Sequence, residues 1–313
     1  MPGRAATLWQ GDIWLVEQGR APRPLTHLGD VAAIFGWNQD GSRLLFGRGR
    51  IERPHLVGDT TDLWIADVGT QQVTQLTASG KVKAASWSPV DDRIAYCELG
   101  DVLTVVTPEG EALHRLEFAI CDFTWSPDGS VISLPTYTPS MVDIDGLKAT
   151  VLLVWWLEDG KLQTVSDSED ETHAWPIWST NGQRILFLRD YYAPDEQMLS
   201  GGYIWDVLSN QVKYLEGVSP SAEEMSRSPR SDLVAYRMGF DIFVMDFEGR
   251  IEPVGRGRSL LWLPDGRTLL YRDMNGNFQT VTLDVEVVES AVGGQRPAPG
   301  LYLQPEYFFS PGG

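Results

Sequence analysis

Short apolar runs separated by polar turns recur along the chain. In each copy an aromatic or apolar residue precedes a turn of the Ser-Pro-Asp-Gly type, and a run rich in β-branched and aromatic residues follows. Pro sets φ for the first turn position, and Asn or Asp followed by Gly supplies the positive φ that a tight hairpin needs. Each copy therefore predicts a β-hairpin, whose strands we name A and B.

The copies recur at the spacing of a repeat protein. The residues before the six internal turns are Trp37, Trp87, Trp125, Trp178, Arg227 and Trp262. A third strand, C, is predicted after each hairpin, as in 62–67 and 241–246, and a turn then leads to a short fourth strand, D. Repeats of roughly 40–45 residues that contain four strands are typical of β-propeller blades.

These repeats resemble the WD40-like Asp-Pro-Gly (PD40) repeats of the TolB family, and the resemblance covers essentially the whole chain. Arg227, which stands where most other copies have Trp, is the main departure. The resemblance implies an all-β propeller of four-stranded antiparallel blades. Similar propellers are domains of prolyl oligopeptidase-type peptidases and of oligogalacturonate lyases, so the resemblance implies no single activity.

The two chain ends determine the predicted number of blades. Residues 4–15 align without a gap with residues 93–104, so the chain is expected to begin in a B strand. Residues 307–313 are interpreted as an A strand with its turn. A closing blade shared between 1–28 and about 299–313 would give seven blades in one domain, 1–313, and would cover a sheet edge. Six blades, with a C-terminal tail after Glu289, is the alternative.

Three long insertions fall between strands B and C, at 47–61, 135–150 and 189–201. In a propeller the B–C and D–A loops share one face, and the short A–B turns lie on the other. Long loops inside a compact domain are usually functional or disordered. We therefore predict that a protein or peptide docks on the B–C face, with loop-length drift as the alternative.

Each insertion offers different candidate binding residues. The first contains a basic group suited to a carboxylate or phosphate: Arg48, Arg50, Arg53 and His55. The second contains an acidic pair, Asp143 and Asp145, which lacks the remaining ligands of a calcium loop, so no metal site is predicted. The third contains residues typical of a protein interface: Arg189, Asp190, Tyr191 and Tyr192. Solvated loops, or packing over a neighbouring blade, are the alternatives.

Charged residues also recur directly after strand B. They are Arg48, Glu98, Arg189, Arg237 and Arg272. A ring of these side chains could hold a peptide or a small anion. Salt bridges between adjacent blades are the alternative interpretation.

Charge and composition exclude some partners. The net charge of −18 and pI of about 4.5 disfavour nucleic acid and anionic membranes, and they also suit a soluble protein. The four histidines share no metal-ligand spacing, and Gly-x-Ser-x-Gly is absent. We therefore predict no cofactor, a monomer outside a complex, and a binding or scaffold function. The alternative is a metal-dependent, lyase-like propeller enzyme acting on a carbohydrate or small molecule.

The cysteines and the N-terminus bear on the compartment. Cys97 and Cys121 lie in no CxxC motif and are expected to be buried free thiols, with a single disulfide as the alternative. Residues 1–10 lack the apolar segment of a signal peptide, and the most apolar run, 151–157, is too short to cross a bilayer. These features predict a cytoplasmic protein, with a periplasmic protein or a domain of a longer chain as alternatives.

Overall fold

The computed structural model describes residues 4–17, 19–49, 61–117, 119–137, 150–165, 171–191, 201–219, 222–263, 265–284 and 301–303. These residues form strands and turns, and no helix that could cross a membrane occurs among them. The predicted all-β class is confirmed. The chain divides into two compact units, Met1–Cys121 with Gly294–Gly313, and Asp122–Gly293.

The first unit contains three four-stranded sheets. Its strands in chain order are β1 (Arg4–Trp9), β2 (Asp12–Glu17), β3 (Arg23–Pro24), β4 (Val31–Trp37), β5 (Arg43–Arg48), β6 (Asp62–Asp67), β7 (Val73–Gln75), β8 (Val82–Trp87), β9 (Ile94–Glu98), β10 (Val102–Val106) and β11 (Ala112–Glu117). β4–β7 and β8–β11 form two antiparallel blades in sequence order. Each predicted A–B hairpin in this unit is observed, because the turn residues fix it locally.

The second unit contains two four-stranded sheets and one six-stranded sheet. Its strands are β12 (Thr124–Trp125), β13 (Val131–Tyr137), β14 (Thr150–Trp156), β15 (Leu162–Thr164), β16 (Glu171–Trp178), β17 (Arg184–Tyr191), β18 (Gly201–Asp206), β19 (Gln211–Leu215), β20 (Glu223–Arg227), β21 (Leu233–Met238), β22 (Asp241–Asp246), β23 (Ile251–Trp262), β24 (Thr268–Asp273) and β25 (Phe278–Thr282). β12–β15 and β16–β19 are antiparallel blades, and β20–β25 form the larger sheet.

The sheet containing the N-terminus includes a strand from the far end of the chain. The strand β26 (Leu301–Leu303) runs parallel to β1, with Ala5 opposite Leu301, and the sheet order is β26, β1, β2, β3. The predicted B, C and D strands within 1–28 are therefore present. The antiparallel A strand predicted at 307–313 lies outside the described residues, so that form of closure stays a prediction.

The number of sheets differs from the preferred count. The described strands form six hydrogen-bonded sheets, which fits the six-blade alternative, and the preferred count of seven separate blades is wrong. The cause is β23, whose first half pairs with β22 and whose second half pairs with β24. Because no turn interrupts β23, the last two internal copies share one sheet.

The core lies between neighbouring sheets. Strands B and C are the most buried, and Leu45 and Leu63 of one blade pack with Trp87 and Ile94 of the next. In two copies of the repeat the tryptophan before the A–B turn also donates a hydrogen bond to the preceding copy. The Trp87 indole N–H donates to the Gly36 carbonyl oxygen at 3.2 Å, and the Trp262 indole N–H makes the equivalent bond at 2.9 Å.

The two cysteines form a disulfide, so the prediction of free thiols is wrong. Cys97 lies fully buried in β9, and Cys121 follows β11. The segment after β11 turns back toward strand B, where the Ala119 N–H donates to the Asp101 carbonyl oxygen at 2.9 Å. This return brings the two cysteine Cα atoms to 5.3 Å, a separation that a disulfide spans.

Candidate functional site

The short B–C turns expose one large apolar side chain each. In the first unit they are Trp9 (39% exposed) and Leu99 (52%), at the β1–β2 and β9–β10 turns. In the second unit they are Phe240 (49%) and Met274 (55%), at the β21–β22 and β24–β25 turns. Single exposed apolar side chains are common on protein surfaces, so the notable feature is that these four recur at the same position of the blade.

The backbone of these turns is fixed by positive-φ residues. Gly11 has φ of 78°, Gly100 of 105°, Gly239 of 61° and Gly276 of 87°. Such turns reverse the chain within a few residues and are mostly formed by Gly, Asn and Asp. The apolar side chains are consequently displayed on rigid connections.

The A–B turns at the opposite end of the sheets are bonded to one another. Asn38 donates to Asp92 of the next blade at 3.1 Å, Thr180 N–H donates to Asp232 at 2.5 Å, and Ser228 Oγ donates to the Gly266 carbonyl oxygen at 2.8 Å. The described A–B turns expose no large apolar side chain. The A–B turns are therefore structural, although the C–D turn between β18 and β19 at the same end exposes Leu208 at 79%.

The predicted series of charged residues after strand B is satisfied mainly within each blade. Arg48 forms two hydrogen bonds with Asp30, at 2.8 and 3.0 Å, and lies 4.4 Å from the Trp64 ring. Arg237 pairs with Glu223 at 2.6 Å and with Glu224 at 3.0 Å. These acids precede or begin strand A of the same sheet. Arg48 and Arg237 therefore form salt bridges within one blade, and not the salt bridges between adjacent blades that the alternative interpretation expected.

Arg189 and Arg272 have different surroundings. The Arg189 guanidinium lies 5.0 Å from the Tyr203 ring, on the blade β16–β19. Arg272 Nε donates to the Gly276 carbonyl oxygen at 3.0 Å, and Arg272 is paired across the sheet with Arg258. Glu98 accepts a hydrogen bond from Ser79 at 2.5 Å.

The insertions lie between strands B and C, as predicted, since they connect β5 to β6, β13 to β14 and β17 to β18. Most of their candidate residues lie outside the described residues: Arg50, Arg53, His55, Asp143, Asp145 and Tyr192. Asp190 and Tyr191 are the last residues of β17. Binding by these loops therefore stays a prediction.

Sequence reasoning missed several residues at the B–C ends. Phe240 lies between Gly239 and Asp241, and Met274 lies between Asp273 and Asn275. An apolar residue inside a run of turn formers was the available signal. Arg258 gave no such signal, because its position depends on the pairing of β23 with β24.

Burial shifts the pKa of several groups in the second unit, and it raises the pKa of Tyr236 in β21 to about 12. Burial lowers the pKa of His173 to about 4, and burial raises the pKa of the Asp122 carboxyl. Asp122 accepts a hydrogen bond from the Trp175 N–H at 2.9 Å. In the described part of the chain, no three His, Cys, Asp or Glu side chains converge in a way that could hold a metal ion.

No protein-family model matches the sequence, and no curated protein matches it significantly. Solved structures do match. The tricorn protease aligns over 92% of this chain and 34% of its own, with a TM-score of 0.66 and 12% identity. An oligogalacturonate lyase in complex with manganese aligns over 92% of this chain and 87% of its own, with a TM-score of 0.61 and 15% identity.

TolB from Acinetobacter baumannii aligns over 90% of this chain and 76% of its own, with a TM-score of 0.52 and 13% identity. The fold is a β-propeller. Identities this low show the fold alone, so the TolB-like interpretation is supported at the level of the propeller. The matched propellers include enzymes, and this chain spans about a third of the tricorn protease.

Proposed function

We propose that this protein is a non-catalytic binding propeller that docks a protein or peptide at the B–C ends of its blades. The observation that supports the proposal is the exposure of one large apolar side chain on every short B–C turn of the described chain. Exposing apolar surface is unfavourable in water, and a bound partner that covers it regains that free energy.

The A–B turns and the short B–C turns differ in the groups that they expose to a partner. The A–B turns of adjacent repeat copies bond to each other through side chains and carbonyl groups, and those that the structure describes expose no large apolar side chain. At the B–C end, rigid turns present apolar groups. Groups held in place before binding lose little conformational entropy when the partner docks.

Charged groups surround the apolar side chains of the second unit. Arg237 and Arg256 lie near the β21–β22 turn, each paired with acids at 2.6 to 3.0 Å. A polar rim around exposed apolar residues is typical of transient protein interfaces. This arrangement favours a partner that dissociates over a permanently buried one.

Affinity capture with paired variants tests the proposal. Purified protein is immobilised, exposed to native lysate, and the retained proteins are quantified by mass spectrometry. One variant carries Phe240→Ser with Met274→Ser. The control carries Leu208→Ser with Leu162→Ser, which removes apolar side chains that are 79% and 49% exposed from a C–D turn and from a D strand.

We expect proteins that are retained by wild type and by the control but lost with Phe240→Ser and Met274→Ser. Both variants should melt at the wild-type temperature, because exposed side chains contribute little to folding. If the three proteins retain the same partners in the same amounts, these turns do not form the docking surface.

A further inference from the structure

A carboxylate recurs at one position of the repeat in the second unit. Asp122 and Glu224 each stand three residues before the residue that precedes an A–B turn. Each of them accepts a backbone hydrogen bond from strand A of the next copy. Asp122 Oδ2 accepts from the Trp175 N–H at 2.9 Å. Glu224 Oε1 accepts from the Leu260 N–H at 2.7 Å, so Glu224 serves as a reference for Asp122.

The two carboxylates differ in how their charge is compensated. Glu224 Oε2 accepts a hydrogen bond from Arg237 Nε at 3.0 Å, so an arginine of β21 balances the charge of this carboxylate. In the blade that follows Asp122, the pairing of strands A and B places Pro135 of β13 where β21 has Arg237. That blade therefore lacks the arginine that compensates the carboxylate in the reference blade.

Asp122 is left without a cation as a result. Among the described residues, the Trp175 N–H is the only group that donates a hydrogen bond to Asp122, and no Lys or Arg forms an ion pair with it. The Asp122 side chain is partly buried, and this burial raises the pKa of its carboxyl. Burying a charge without a partner of opposite sign is unfavourable, so a cation supplied by another molecule would stabilise this carboxylate.

The residue bonded to Asp122 also carries an exposed indole. Trp175 is 40% exposed and lies in the β-bulge between Ala174 and Ile177 of β16. Its φ of 57° is a backbone conformation that bulky residues rarely adopt, and its hydrogen bond to Asp122 helps to hold it. Bulges of this kind redirect side chains and are frequent beside functional sites. The bulge thus keeps the residue with the exposed indole in contact with the uncompensated carboxylate.

The first unit contains the same combination of groups with an arginine in place. The Arg48 guanidinium forms two hydrogen bonds with the Asp30 carboxylate, at 2.8 and 3.0 Å, and lies 4.4 Å from the Trp64 ring. A guanidinium group can pair with a carboxylate through parallel hydrogen bonds and stack on an aromatic ring at the same time. Asp122 and Trp175 supply the carboxylate and the indole of such a group, but not the guanidinium.

We propose that Asp122 and Trp175 bind an arginine side chain of the docked partner, whose guanidinium pairs with the carboxylate and stacks on the indole. Arginine fits better than lysine because the compact ammonium group of lysine does not combine bidentate pairing with stacking. The net charge of −18 also attracts a cationic partner. Asp122 precedes β12 on the side away from its A–B turn, and so lies at the B–C end. This assignment rests on the proposed function and specifies the chemistry of the partner.

Ligand-observed NMR titrations with three peptides test the assignment. The peptides are acetyl-Gly-Leu-Xaa-Leu-Gly amides in which Xaa is arginine, lysine or citrulline, the uncharged analogue of arginine. Each is titrated with wild type and with three variants that are first checked for wild-type circular dichroism. Asp122→Asn removes the charge but keeps an oxygen that accepts the Trp175 N–H, and Trp175→Asn removes the indole with a residue that tolerates positive φ. The control Glu216→Gln removes the same charge from an exposed position after β19.

We expect the arginine peptide to bind wild type about 10-fold more tightly than the citrulline peptide, with the lysine peptide weaker than the arginine peptide. Asp122→Asn should reduce the affinity for arginine to the level of citrulline, and Trp175→Asn should weaken it about 3-fold or more. Glu216→Gln should bind like wild type. Equal affinities for arginine and citrulline, or for arginine and lysine, would overturn the assignment. Absence of saturable binding, or equal losses in Asp122→Asn and Glu216→Gln, would also overturn it.

Failure of the arginine site and failure of the proposed function are distinguishable. If capture from lysate depends on Phe240 and Met274 while Asp122→Asn captures the same proteins as wild type, the docking surface stands and the arginine site does not. If capture is independent of Phe240 and Met274, the proposed function itself fails.

Discussion

The contact that His173 makes with the preceding blade can be tested by measuring folding stability at different pH values. Its side chain is 2% exposed in β16, and its Nδ1 lies 2.6 Å from the Thr150 carbonyl oxygen of the preceding blade. The His173 backbone N–H also donates to Thr150 Oγ1 at 2.7 Å, and the imidazole lies 5.4 Å from the Phe187 ring. Because burial disfavours the charged imidazolium, the pKa of His173 is lowered to about 4.

This shift makes folding stability depend on pH. The unfolded chain binds a proton at this histidine below a pH of about 6.5, whereas the folded protein does so only near its lowered pKa of about 4. The stabilisation by the neutral ring is therefore present above pH 6.5 and is lost as the pH falls. Linkage gives a loss of about 2 kcal/mol in the free energy of unfolding between pH 7 and pH 5.

Urea unfolding at pH 7, 6 and 5, followed by tryptophan fluorescence, measures this loss. The variant His173→Asn keeps an N–H donor near the Nδ1 position but does not titrate, so its unfolding free energy should vary about 2 kcal/mol less over this range. The same substitution at the exposed His27 is the control and should retain the wild-type dependence. If wild type and His173→Asn lose equal stability from pH 7 to pH 5, the argument from burial is refuted.

Other parts of the fold give three further expectations. Replacing both Cys97 and Cys121 by Ala removes the disulfide, which closes a loop with a sequence separation of 24. The free energy of unfolding should fall by about 3.4 kcal/mol and the calorimetric Tm by roughly 5 °C, and an unchanged Tm would refute this. Deleting residues 299–313 removes β26 and leaves the edge of β1 unpaired, so the Tm should fall, whereas an unchanged Tm would show that this strand is dispensable. Trp262→Phe loses a hydrogen bond to β20 of the six-stranded sheet and should destabilise by about 1 kcal/mol more than Trp37→Phe in chemical unfolding, since the Trp37 indole N–H has no acceptor among the described residues; equal losses would contradict this.

The described part of the fold followed largely from local sequence. The turns after Trp87 and Trp125 form because Pro and Asp, joined by Gly129 in the second turn, favour tight reversals within a few residues. Apolar runs on both sides then pair as strands A and B, as in β8 with β9. The prediction that long insertions separate B from C was confirmed for the same reason, since the flanking strands are marked by their own patterns.

The number of sheets and the disulfide depended on packing between distant segments. Nothing in the local pattern of β23 shows that its two halves serve different copies of the repeat. Likewise, Cys97 and Cys121 come together because the segment after β11 returns toward β9, and that path depends on hydrogen bonds such as the one between Ala119 and Asp101.

Part of the candidate site, too, could be predicted from the sequence, and part depended on the tertiary structure. The sequence by itself determined that turns would connect B to C and that arginines such as Arg237 and Arg272 would follow strand B. Only the tertiary structure decided that Arg237 pairs with acids of its own blade and that Arg258 is the cross-strand partner of Arg272. Turn formation depends on a few adjacent residues, but the partner of a charged side chain depends on the register and bulges of strands that the chain brings together from outside that local window.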